Sequence, residues 1–243
     1  MHEQLPFTEL LNRLLGGPVT ALLNALGIHP HFPEAPISNA VAMQVLVVIL
    51  LTLFFIIVRT RLSVESPGAL QLTLEWVRGF VANQSHEIIG HGYEAYTPYL
   101  VTLGLYILTC NLIGLVPGFE SPTAIPSVPL GCAILTWCYY HFQGIRANGF
   151  GYLKHFMGPV WWLAPLMFLI EVCSHLARIL SLTIRLFANM FAGDMVTLVF
   201  FSLVPIGIPV LFMGLHIGVS FIQTYIFVLL ATVYLSEATA HEH

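Results

Sequence analysis

The chain has 243 residues, of which 57% are apolar and 8% charged, and its mean hydropathy is +0.85. An ordinary soluble domain carries roughly 25% charged residues, so a soluble fold is excluded. The formal net charge is −4, and the dispersed Lys and Arg form no basic block that could follow a phosphate backbone, so no nucleic-acid partner is expected.

Stretches free of Asp, Glu, Lys and Arg run over residues 35–58, 95–119, 121–145 and 195–236. A helix needs about 20 residues to cross a bilayer, so at least four or five crossings fit. Residues 1–36 read as an extracytoplasmic, mostly interfacial arm. Leu11, Leu15, Leu22 and Leu26 make it weakly amphipathic, and the stretch GIHPHFPEAP breaks any helix. The first residues, MHEQLPFTELLNRLL, lack the pattern of a cleaved signal peptide.

The first span is expected over 37–58. It stops at Arg59 and Arg61, a cationic flank of the kind retained on the cytoplasmic side, so the N-terminus is expected outside. Over 67–90 the chain turns amphipathic, with Leu70, Leu74, Val77, Val81 and Ile88 on one face and Gln71, Glu75, Arg78 and Ser85 on others. Such a helix lies on the membrane. Two further spans, 96–117 and 124–143, are parted by PGFESPTAIP, and a loop with Arg146 and Lys154 follows. Residues 161–203 and 207–236 complete the series as a long hairpin broken near Val204 and Pro205. The fold expected is therefore all-α and integral to the membrane, with five transmembrane helices, one amphipathic surface helix over 67–90, and a membrane domain covering 37–243. The charge bias and the crossing count agree on a cytoplasmic C-terminus.

The limb 161–203 differs from the others because it carries Glu171, Arg178, Arg185 and Asp194. A charge at the bilayer centre costs roughly 2.5 to 3.5 kcal/mol even on the lenient insertion scale, so four in one limb point to an aqueous path. On a helix turning about 100° per residue, Glu171, His175, Arg178, Arg185 and Asn189 stand at about 0°, 40°, −20°, −40° and 0°. They form a polar stripe about 27 Å long. Asp194 points to the opposite side, about 13 Å beyond Arg185.

The last limb offers His216 and Gln223, within about 20° of one another. Antiparallel partners share a constant sum of residue numbers, and folding the hairpin at Val204 and Pro205 pairs Arg185 with Gln223 and Asp194 with His216. Arg185 stays protonated, so it serves as a fixed charge that draws a passing carboxylate into its ionised form. Asp194 and His216 suit proton exchange. His175 and Arg178 also read as interfacial groups that snorkel to headgroups, and Glu171 lies similarly shallow.

Cys110, Cys132, Cys138 and Cys173 show no CxxC pair and read as small core residues. HEIIGH at 86–91 has one residue too many for the HExxH zinc motif, which sets its imidazoles about 140° apart on a helix. No metal and no cofactor are expected, and the terminal HEH reads as a solvated tail. An intramembrane metalloenzyme would need inward His pairs at i and i+4, and a self-contained transporter would show inverted repeats. The sequence shows neither.

SLTIRLFANMFAGDM at 181–195 resembles the signature of subunit a of the F-type ATP synthases. The resemblance continues through Pro67 to Gln71, TCNLIGLVPG at 109–118 and HIGVSFIQTYIFVLLATVYLSEA at 216–238. It implies a non-catalytic stator subunit that faces a rotating c-ring and joins b-type peripheral stalk subunits. Its setting would be the lipid of a bacterial inner membrane. Arg185 then matches the essential arginine that faces the ring carboxylates and prevents leakage, and Gln223 matches its polar partner. Asn189, Asp194, His216 and Glu171 match half-channel positions, with His175, Arg178, Ser181 and Asn111 as further candidates. One departure is Asp194, where the bacterial pattern commonly has Glu. Proton or sodium transport to the ring is implied, with ATP synthesis in another subunit.

Overall fold

A computed structural model describes residues 5–25, 27, 35–116, 118–149, 151–152, 163–203 and 207–240. Lys154, Trp161, the proposed break at Val204 and Pro205, and the terminal HEH lie outside the described residues. The described residues hold seven α-helices: α1 (Pro6–Ala25), α2 (Asn39–Thr60), α3 (Ala69–Ile89), α4 (Thr97–Ile113), α5 (Ser127–Asn148), α6 (Ala164–Leu203) and α7 (Ile208–Thr239). Short 3₁₀ turns at Tyr93–Ala95 and Pro122–Ala124 precede α4 and α5. The described part of the chain is thus all-helical. Three helices, in α2, α6 and α7, are long and apolar enough to cross a bilayer, whereas the apolar α4 has 17 residues.

Capping and terminal chemistry follow from local sequence. Ser38 caps α2 by accepting from the Val41 amide at 3.5 Å, and Arg59 occupies the last turn, where a cation complements the helix dipole. Pro98 and Pro209 stand in the first turns of α4 and α7, positions where a missing N–H costs nothing. Helix α1 carries Pro18 internally and docks Leu11 beside Ile37 and Ala42. Asn12 fastens this contact, donating to the Ile37 carbonyl at 3.1 Å and accepting from its amide at 3.0 Å.

The core lies where α4, α5, α6 and α7 meet. Leu100, Leu103 and Ile107 pack against Cys132 and Ala133, Leu182, Leu186 and Met190, and Phe227, Val228 and Ala231. Many large apolar side chains face outward, among them Leu169 at 59% exposure and Leu211 at 73%, as expected where the surrounding solvent is lipid. Gly104 lets Val228 approach to 3.0 Å of where a Cβ would stand, so α4 and α7 pack closely.

Two readings from spacing are corrected here. Ser85, assigned to the polar side of the surface helix, is fully buried in α3 and donates to the Val81 carbonyl at 2.8 Å. It lies four residues after Val81, on the inward stripe, while Trp76 and Phe80 face outward and stack at 6.0 Å. Cys138 and Cys173, read as core residues, are exposed, whereas Cys110 and Cys132 are buried.

Candidate functional site

Helices α6 and α7 run antiparallel, and their polar side chains gather at three levels. Nearest the turn, Asp194 Oδ1 lies 3.7 Å from His216 Nδ1. The His216 imidazole is buried, and among the described residues its Nε2 has no hydrogen-bond partner. Space for the ring comes from Gly193, where a Cβ would stand 2.5 Å from His216 Nδ1. The imidazole therefore lies directly on the backbone of α6.

A string of hydroxyls and amides leads away from this level. Ser220 donates to the His216 carbonyl at 2.8 Å and Thr224 to the Ser220 carbonyl at 2.8 Å. Asn111 of α4 donates to Thr224 Oγ1 at 3.4 Å and accepts from Thr123 at 2.7 Å. Thr123 and Ser121 share a bond of 2.9 Å, and Ser121 donates to the Cys110 carbonyl. Gly114 permits this approach, since a Cβ there would meet Ser121 at 2.6 Å.

At the middle level Asn189 donates to Gln223 Oε1 at 2.7 Å. Arg185, one turn away, donates to Ser181 Oγ of its own helix at 3.1 Å. Among the described residues no carboxylate pairs with it. The residue-sum register puts Arg185 beside Gln223, but the amide of Gln223 bonds Asn189 instead, one turn nearer the hairpin end.

The third level lies at the other end of the hairpin. His175 Nε2 stands 3.3 Å from Glu171 Oε1, and its Nδ1 bonds the Tyr140 hydroxyl at 2.8 Å. His175 is buried and so does not snorkel. Arg178 pairs with the half-exposed Glu237 at 2.6 Å and lies 4.8 Å over the Tyr234 ring, which ties it to α7. A cavity of about 30 Å³ opens between Tyr140, Glu171, His175, Arg178 and Glu237, room for about one or two waters.

Sequence spacing missed Tyr140, His141, Tyr152, Ser121, Thr123, Ser220, Thr224 and Glu237. Ser220 and Thr224 had a signal, since 216, 220, 223 and 224 share one face of α7. Glu237 lies near the C-terminal end of α7, and the others come from α5 and from the segments flanking it, where only tertiary packing brings them in. Among the described residues no three His, Cys, Asp or Glu gather as a metal-binding group.

The sequence is similar to those of known proteins. The model of the ATP synthase A chain family matches residues 40–236. The chain is 65% identical to the ATP synthase subunit a of Koribacter versatilis, covering all of both chains. It is 52% identical to that of Solibacter usitatus, covering 96% of this chain and 100% of the relative. With the subunit a of Geobacter sulfurreducens the identity is 41%, over 88% of this chain and 92% of the relative. On these matches, which span most of its length, the chain belongs to the ATP synthase A chain family.

Proposed function

We propose that the chain is the ion-conducting stator subunit of an F-type ATP synthase, with no catalytic site of its own. Helices α2, α4, α5, α6 and α7 are its five spans and α3 its surface helix, in a bacterial inner membrane with the N-terminus outside. Its partners are the c-ring and b-type stalk subunits. The observation that carries this reading is the division of the α6–α7 polar groups into two clusters on either side of Arg185, a cation that the described chain leaves without a carboxylate.

The Asp194–His216 level and the Asn111 string form the outer half-channel, and the Glu171–His175 level forms the inner one. A proton arriving through the outer path neutralises a ring carboxylate. The neutral carboxyl enters lipid far more cheaply than its ion, so the ring turns. At the inner path the proton leaves, and the bare carboxylate is held by Arg185. Because a guanidinium does not release its proton, no proton passes directly between the two paths. Asn189 and Gln223 bond each other beside Arg185 and keep the amide dipoles ordered there.

The test is ATP-driven acidification of inverted membrane vesicles, followed by a pH-sensitive dye, with native chain and Arg185→Ala in a host lacking its own copy. Loss of pumping in a normally assembled complex supports the assignment. Undiminished pumping overturns it. A native signal that requires sodium keeps the architecture and changes the ion.

A further inference from the structure

We propose that the groove between α2, α4 and α5 binds one phospholipid of the cytoplasmic leaflet, with its anionic headgroup at Arg59 and an acyl chain along the groove. This inference rests on the spans and orientation of the reading above, but on no residue of the ion path. The groove encloses about 640 Å³. Val48, Thr52, Phe55 and Arg59 line it from α2, a spacing that puts all four on one face of that helix. Thr102 of α4 and Leu135 of α5 line the facing walls. Toward their outer ends α2 and α4 touch, where Val47 packs on Cys110 and Ile113. Leu51 and Tyr106 pack against that cluster and also line the groove, so they close its outer end.

Length and chemistry select the occupant. From Val48 to Arg59 is about 16 Å along the helix axis, about half of a hydrocarbon layer of about 30 Å. The groove is therefore one leaflet deep, whereas a transmembrane helix of a partner would need the whole depth. Its hydroxyls are already engaged within the chain: Thr52 donates to the Val48 carbonyl at 2.7 Å, Thr102 to the Pro98 carbonyl at 2.8 Å and Tyr99 to Thr136 at 3.1 Å. The walls thus offer an acyl chain contact without competing for water. At the open end stands Arg59, in the last turn of α2 and exposed. Among the described residues no carboxylate pairs with it, and no Asp or Glu lines the groove. A guanidinium at headgroup depth binds a phosphate oxygen pair in its planar fork, and a basic pocket between spans on the cytoplasmic side favours anionic headgroups.

The test uses the assembled complex in inverted vesicles. A phosphatidylglycerol with a photoreactive group in its acyl chain, or the matching phosphatidylcholine, is exchanged into the bath-facing leaflet. After illumination and digestion, mass spectrometry assigns the labelled side chains. In the native chain, labelling at Phe55 and Thr102 is expected to be about fivefold stronger with the anionic probe, the pull of one cation on such a headgroup. Labelling at Leu53, which is 52% exposed and lies outside the groove, is expected to be equal with the two. Arg59→Gln should abolish the headgroup preference. Thr102→Trp, at an exposed position, should lower groove labelling by either probe and spare Leu53. Equal labelling of the groove by both probes in the native chain would show bulk lipid only and overturn the proposal. A groove that neither probe reaches until partner subunits are removed would also overturn it, because a protein helix would then be the occupant. Pumping by Arg185→Ala is read on the same vesicles: its persistence sinks the stator reading, whereas a groove without headgroup preference beside a dead Arg185→Ala sinks this inference alone.

Discussion

Replacing Gly193 by alanine puts a methyl group into the space that His216 occupies. The added Cβ would lie 2.5 Å from Nδ1, 2.8 Å from Cε1 and 3.3 Å from Cγ. Ordinary contact begins at 3.4 Å, so the ring has to withdraw by about 0.9 Å. It has little room to do so, being 4% exposed. Overpacking of this kind costs about 1–3 kcal/mol, of which the better helix propensity of alanine returns about 0.8–1.0. The net loss of roughly 0–2 kcal/mol leaves the complex assembled. A displacement of about 0.9 Å is, however, about a quarter of the Asp194–His216 separation of 3.7 Å. Proton exchange at that spacing depends on geometry, and misplacement by about 1 Å costs on the order of a hundredfold in positioned chemistry. The assay is the initial rate of acidification in inverted vesicles, normalised to the amount of assembled complex, with Gly131→Ala as control because nothing lies within 4 Å of its added Cβ. A drop of at least about tenfold for Gly193→Ala alone is expected. Rates within twofold of the control would refute the idea that the imidazole must lie on the α6 backbone.

Two further expectations follow from the same contacts. Asn111→Ala leaves Thr123 and Thr224 without their shared partner at a fully buried position, and should cost about 1–3 kcal/mol, read as a lower temperature of complex dissociation. The Arg178–Glu237 pair joins α6 to α7 with Glu237 half exposed, so a double-mutant cycle with Arg178→Leu and Glu237→Gln should give a coupling of about 0.2–1 kcal/mol, and a zero coupling would show that the pair holds nothing.

Within a single helix the spacing of residues was informative. The sharing of one face by His216 and Gln223 depends only on the helical angle per residue, whereas Asp194, expected on the side away from the Arg185 stripe, meets the same helix α7 as Asn189 of that stripe. The Asp194–His216 pairing was legible because both limbs are uninterrupted helices and one sum fixes an antiparallel register. The same register set Gln223 beside Arg185, and the Gln223 amide accepts from Asn189, one turn further along α6. Ser85 was misplaced because a hydroxyl that bonds its own helix backbone enters a core as readily as a small apolar group. Tyr140, His141 and Tyr152 had no signal at all, since α5 is apolar on most faces and its contact with α6 spans more than thirty residues of sequence.

Helix α6 has 40 residues, a rod of about 60 Å. Laid wholly within a hydrocarbon layer of about 30 Å, such a rod inclines about 60° from the membrane normal. Asp194 and Glu171 are then about 35 Å apart along the axis, but only about 17 Å of that is depth and about 30 Å is sideways. At that inclination a charge passing from one cluster to the other would travel farther sideways than in depth.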